Sequence, residues 1–119
     1  MKLLIVEDSN LVSVRLKLAF GQIAALDIVF ADRIELGLER FRALQPELVI
    51  LDIDLPDGNG MDLLQTIKHE RPAARVMMFS NHDYFRQRCK DQGADYFFDK
   101  SEEFESLAVT VQALTAVCP

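Results

Sequence analysis

The chain is short of everything that would staple or anchor it. It has two cysteines, Cys89 and Cys118, with no metal-type spacing between them. That excludes a disulfide framework or a zinc knuckle as the source of its stability, and reduced thiols are expected. No apolar run approaches the roughly 20 residues that a membrane-spanning helix needs, and the first residues lack the basic start and apolar stretch of a signal peptide. Cations are scarce too. Thirteen Lys and Arg face nineteen Asp and Glu, for a formal charge of −6, so no positive excess exists to displace counterions from nucleic acid. Linkers, internal repeats and low-complexity stretches are missing as well. What is left reads as one cytoplasmic domain over residues 1–119, large enough to bury a core unaided, with no membrane contact and no direct nucleic-acid binding.

What is present is an alternation. Five short apolar runs, Lys2–Val6, Asp27–Ala31, Leu48–Leu51, Val76–Phe79 and Tyr96–Phe98, are separated by segments of helical period. The first and third runs are continuously aliphatic, as in strands covered on both faces. Ile34, Leu38, Phe41 and Leu44 repeat at helical spacing, as do Met61, Leu64 and Ile67, and then Phe104, Leu107, Ala108, Val111 and Leu114. The helix after Phe79, around Tyr84, Phe85 and Cys89, has the weakest stripe. Ser9 or Asn10, Asp32, Asp57–Gly60 and Ser101 stand where caps or turns belong. Five strand–helix repeats imply an α/β domain, a parallel sheet with helices on both faces. Ligands of such sheets bind at the carboxyl ends of the strands, where strand order reverses.

The residues that follow the apolar runs carry chemistry. Glu7-Asp8 follows the first, Asp52 the third, Ser80 the fourth and Asp99-Lys100 the fifth. An acid after a strand is ordinarily a solvated loop residue or a cap. Here the parallel order would bring carboxylates, a hydroxyl and an ammonium to one edge together. Carboxylates about 4 Å apart repel by roughly 4 kcal/mol at an effective dielectric near 20, so a cation among them is expected. Mg²⁺ suits oxygen ligands and phosphate oxygens. A carboxylate can also act as a nucleophile and form an acyl phosphate, with Lys100 and Ser80 stabilising the phosphoryl oxygens.

The stretches Leu-Ile-Val-Glu-Asp-Ser, Leu-Asp-Ile-Asp-Leu-Pro-Asp-Gly-Asn-Gly and Gly-Ala-Asp-Tyr-Phe-Phe-Asp-Lys resemble response-regulator receiver domains of two-component systems, in order and spacing along essentially the whole chain. The resemblance implies a flavodoxin-like doubly wound sheet of order 2-1-3-4-5. It makes Asp52 the phosphoacceptor. Asp8, Asp52 and the main-chain carbonyl of Asp54 would ligate Mg²⁺, with Glu7 acting through water. Lys100 matches the phosphate-binding lysine, Ser80 the switch hydroxyl and Phe97 the aromatic switch. A histidine kinase or histidine phosphotransfer protein would donate the phosphoryl group. A downstream protein, or a second copy, would read the face made by the fourth helix, fifth strand and last helix. Such a protein is not an enzyme beyond its own phosphorylation and dephosphorylation.

Three departures from the family pattern stand out. Asn81 replaces the usual small residue after the hydroxyl, which narrows access to the phosphoryl group and predicts slow hydrolysis. Ser101 replaces the usual proline after the lysine, which predicts a trans bond and a Ser101 cap on the last helix. No output domain follows, so a stand-alone receiver is expected. Two rivals remain in view. Asp52-Ile53-Asp54 resembles the Asp-x-Asp motif of haloacid-dehalogenase-type phosphatases, but it lies too far from the start and leaves Glu7-Asp8 idle. A degenerate receiver that only binds partners would not need the complete set of acceptor, acids, hydroxyl and lysine. Away from these residues, His69, His82 and the charges of the helical segments (Glu35, Glu39, Arg40, Arg42, Lys68, Glu70) are expected to be solvated.

Overall fold

A computed structural model describes residues 1–116; Cys118 lies outside the described residues. The parallel sheet runs through β1 (Lys2–Val6), β2 (Asp27–Ala31), β3 (Leu48–Leu51), β4 (Arg75–Ser80) and β5 (Tyr96–Asp99), in the order β2-β1-β3-β4-β5. Each expected strand is present. The last two are longer than their apolar runs, so Ser80 and Asp99 end strands instead of following them. The connecting helices are α1 (Asn10–Phe20), α2 (Ile34–Leu44), α3 (Gly60–Glu70), a short α4 (Arg86–Asp91) after a single 3₁₀ turn, and α5 (Phe104–Ala116). The weak pattern after Phe79 corresponds to that six-residue α4, which buries only Cys89.

Burial follows the two-faced sheet. Leu4, Val6, Val49 and Leu51 face one way, onto Phe41 of α2, the Met61–Leu64–Ile67 stripe of α3 and Cys89 of α4. Leu3, Ile5, Leu48 and Ile50 face the other way, onto Leu16 and Phe20 of α1 and Leu107 and Val111 of α5. The alternation along continuously aliphatic strands is what a sheet covered on both sides requires. A buried Leu or Phe contributes roughly 1.5–3 kcal/mol, so these two layers hold the strands and fix their ends.

Caps only partly follow the sequence expectation. The Ser9 hydroxyl accepts from Val12 N at 3.3 Å and caps α1, and Asn59 Oδ1 accepts from Met61 N at 2.8 Å and caps α3. Asp32 does not cap α2; it pairs with Arg33 at 2.8 Å. Ser101 does not cap α5, which begins three residues later. Its N–H, with that of Glu102, goes to Asp99 Oδ1 at 2.7 and 3.2 Å, so the residue is consumed in a turn. The trans bond after Lys100 is as expected: among the described residues no peptide is cis.

Candidate functional site

Parallel register sets neighbouring strand ends side by side. Val6 pairs with Ala31 on one side and Leu51 on the other, and Ser80 pairs with Asp99. The ladder continues one residue past the strands through Glu7 N to Ala31 O (2.9 Å), Asp52 N to Val6 O (3.1 Å) and Lys100 N to Ser80 O (3.0 Å). The stems of Glu7, Asp52 and Lys100 are therefore held by the sheet's own hydrogen bonds. Glu7 and Asp52 flank the gap between β1 and β3, where strand order reverses.

Lys100 joins the two acids. Its Nζ donates to Asp52 Oδ2 at 2.8 Å and lies 2.6 Å from Glu7 Oε1. Glu7 and Asp52 are only 4% and 5% exposed. Their remaining oxygens are engaged by the main chain: Glu7 Oε2 accepts from Ser9 N at 3.1 Å, and Asp52 Oδ1 from Ile53 N at 2.7 Å. Asp8 lies exposed at the rim, and one carboxylate oxygen from each of Glu7, Asp8 and Asp52 falls within 4.8 Å of the other two. Burial pushes the Glu7 carboxyl above its usual range, with the Asp52 charge adding to the effect and Lys100 opposing it. Burial alone would lower the Lys100 ammonium. Hydrogen bonds to Asp52 and Glu7 outweigh that and raise it.

This donor set fits a hard cation. Three clustered carboxylates, only two of them paired with the Lys100 ammonium, leave negative charge in excess, all donors are oxygens, and Asp8 keeps the cluster open to solvent. The Asp54 carboxylate does not join them. It is exposed and pairs with His82 Nε2, while the Tyr84 hydroxyl lies 3.1 Å from His82 Nδ1. His82 is therefore engaged and not simply solvated; His69 is exposed as expected. Of the helical charges, Arg42 pairs with Glu70 at 2.5 Å, and Lys68 lies 2.6 Å from Asp95.

Ser80 is fully buried, and its Oγ accepts from His82 N at 3.2 Å. Asn81 is exposed, with its Oδ1 accepting from Ser101 Oγ at 3.2 Å, so it ties together the loops after β4 and β5. Phe97 is already inside the core at 4% exposure. Arg86 covers it: the guanidinium carbon is 4.9 Å from the ring centroid, and Nη1 donates to Phe97 O at 3.0 Å. Arg86 Nη2 also pairs with Glu103 Oε1, which accepts in addition from Asp99 N at 3.0 Å. The Arg86 hydrogen bond, followed by the Asp99 amide, holds the Glu103 carboxyl below its usual range. Sequence reading missed this clasp of α4, β5 and the start of α5, because a pair 17 residues apart has no local signature.

A five-stranded parallel sheet with three acids and a lysine gathered at its carboxyl edge defines a flavodoxin-like α/β domain built around an acidic, cation-competent pocket. The chain belongs to the response regulator receiver domain family, whose model matches residues 3–112. Among curated relatives it is 31% identical to the sensory transduction protein LytR of Staphylococcus haemolyticus over 112 residues, covering 93% of this chain and 44% of that protein. It is 28% identical to the DNA-binding transcriptional activator EvgA of Escherichia coli K12 over 79 residues, covering 65% of this chain and 39% of that one. The chain thus spans less than half the length of these two relatives. Among solved structures, the response regulator protein TrrA of Thermotoga maritima, in complex with Mg²⁺-BeF, superposes with a TM-score of 0.84 at 26% identity, over 95% of this chain and 97% of that one. The HemR receiver domain of Leptospira biflexa gives 0.86 at 24% identity, over 99% and 96%, a likeness of fold alone.

Proposed function

We propose that this chain is the phosphoacceptor of a cytoplasmic two-component phosphorelay, taking a phosphoryl group from a histidine kinase or histidine phosphotransfer protein onto Asp52. The observation that carries this reading is the Asp52 carboxylate, buried, tethered by Lys100 and Ile53 N–H, and facing Glu7 and Asp8. A carboxylate oxygen of Asp52 attacks phosphorus, the bond from phosphorus to the donor's imidazole nitrogen breaks, and the imidazole leaves with that electron pair. Lys100 follows the charge from the carboxylate to a phosphoryl oxygen. Asp8, Asp52 and the Asp54 carbonyl would hold Mg²⁺, with Glu7 acting through water; when bound, the ion supplies charge neutralisation at the phosphoryl oxygens. The TrrA relative is in complex with Mg²⁺-BeF, which supports Mg²⁺ as the ion.

The chain turns over no external substrate on this reading. The phosphatase alternative needs the Asp54 carboxylate beside Asp52, whereas Asp54 is engaged by His82. Acetyl phosphate with Mg²⁺ should add one phosphoryl group per chain, and a generic phosphomonoester should show no sustained hydrolysis. Continued turnover of the ester would favour the phosphatase.

The phosphoryl charge would reach a partner protein, or a second copy, through the α4–β5–α5 face. Ser80 would donate to a phosphoryl oxygen. Phe97 is buried beforehand, so ring burial is not a gain left for switching; the Arg86–Glu103 clasp, joined to Lys100 through Asp99, is the element positioned to respond. Phosphoryl lifetime should be long, because Asp54–His82 and Asn81–Ser101 bridge the loops around the pocket. In a radiolabel chase, His82→Ala should shorten the lifetime several-fold and Asn81→Ala less so. Unchanged decay in both would show that these bridges do not limit water access.

A further inference from the structure

Helix α2 has no cap of its own: Arg33, at its N-cap position, makes no side-chain hydrogen bond to the first turn. The cap comes from another loop. Asp57 Oδ1 accepts from Ile34 N at 2.8 Å and Asp57 Oδ2 from Glu35 N at 3.0 Å. Two amides at the positive end of a helix are a favourable seat for a carboxylate, and they hold the Asp57 carboxyl below its usual range. The next residue is seated on the same turn. Gly58 has φ +152°, and a Cβ there would lie 3.1 Å from Ile34 Cδ1.

The clamped loop is the one that leaves Asp52 and carries Asp54. Its residues Asp54–Leu55 and Gly58–Asn59 pair as a small antiparallel ribbon. Its far end is pinned where Gly60 N donates to Ile53 O at 2.7 Å, and a Cβ on Gly60 would fall 1.8 Å from Asp52 O. The Asp54 carbonyl therefore sits between two fixed points, one at the sheet edge and one on α2.

We propose that Asp57 is a positioning residue for the divalent cation: by clamping the loop to the first turn of α2 it holds the Asp54 carbonyl in place for the ion. This rests on the reading of Glu7, Asp8 and Asp52 as the metal site. Asp57 touches neither the ion nor Asp52 and acts only through the loop. Coupling of this kind is reciprocal, so whatever factor the clamp contributes to ion affinity, the ion returns to the clamp. Helix α2 thus senses occupancy of the metal site.

Calorimetric titration with MgCl₂ tests the first half. Asp57→Ala should weaken Mg²⁺ binding by roughly five-fold, the size of a typical cap contribution expressed as an equilibrium constant. Asp57→Asn, which keeps one acceptor, should fall between it and the unmodified protein. Leu38→Ala, a truncation elsewhere on α2, should lower the melting temperature without changing Mg²⁺ affinity, which separates positioning from general loosening of the helix. Amide hydrogen exchange tests the second half. Saturating Mg²⁺ should slow exchange at Ile34 and Glu35 by about the same factor in the unmodified protein, and leave it unchanged in Asp57→Ala and Asp8→Ala. Normal Mg²⁺ affinity in Asp57→Ala, or exchange at Ile34 and Glu35 that ignores Mg²⁺ while the protein binds it, overturns the coupling alone. An unmodified protein that binds no Mg²⁺ overturns the metal reading, and the coupling with it.

Discussion

Lys100→Met should destabilise the metal-free protein at neutral pH by about 3 kcal/mol, the usual size of breaking a buried pair by removing one partner. The methionine keeps the length and apolar body of the side chain but leaves Glu7 and Asp52 buried without their shared cation. The loss should depend on pH in a definite direction. Glu7 already binds its proton more tightly in the folded protein than at the ordinary value of 4.5, and without the Lys100 hydrogen bond it should do so still more. Where the folded state holds a proton that the unfolded chain has released, stability falls as pH rises. The defect should therefore be smallest near pH 4.5, grow as pH rises above it, and level off above the raised folded value. Urea unfolding at a series of pH values measures this. Equal midpoints for the variant and the unmodified protein at neutral pH would mean that Lys100 does not neutralise the acids.

Magnesium should raise the melting temperature, and Asp8→Ala should remove the response. A ligand that binds only the folded state stabilises it by roughly 2.7 kcal/mol at one hundred times its dissociation constant. Asp8 is the informative position because it is the exposed member of the cluster, so its loss removes a ligand without opening the core. The Asp8→Ala protein should also be no less stable than the unmodified one without metal, since one of three repelling carboxylates is gone. Melting curves of the unmodified protein that ignore Mg²⁺ would contradict the site.

The features legible in the sequence are those with a local or periodic cause. Leu-Leu-Ile-Val and Leu-Val-Ile-Leu announce central strands because both faces must be apolar, and both are buried at β1 and β3. Parallel order then fixes which residues emerge together, so the sequence pattern alone puts Glu7, Asp52 and Lys100 on one edge. The illegible features are side-chain choices made across the fold. Asp32, a good cap by sequence, was displaced by Asp57, which reaches the Ile34 amide from 23 residues further along the chain. Ser101 was drawn to Asn81 and into a turn by Asp99, which left α5 to start later. Asp54 turned to His82, and Phe97 was covered by Arg86, through contacts set by packing of the loops after β3, β4 and β5. A one-dimensional pattern reports which face a residue occupies, not which of several reachable partners its polar atoms take.

Intact-mass measurement of the unmodified protein and Asp52→Asn, each incubated with acetyl phosphate and Mg²⁺, tests the central assignment most directly. Asparagine preserves the side chain's shape and its acceptor toward Ile53 N–H, so the fold should persist while the nucleophilic carboxylate is lost. The unmodified protein should gain the mass of a single phosphoryl group, mapped to Asp52, and the variant should gain none. Equal labelling of the two proteins would contradict Asp52 as the phosphoacceptor.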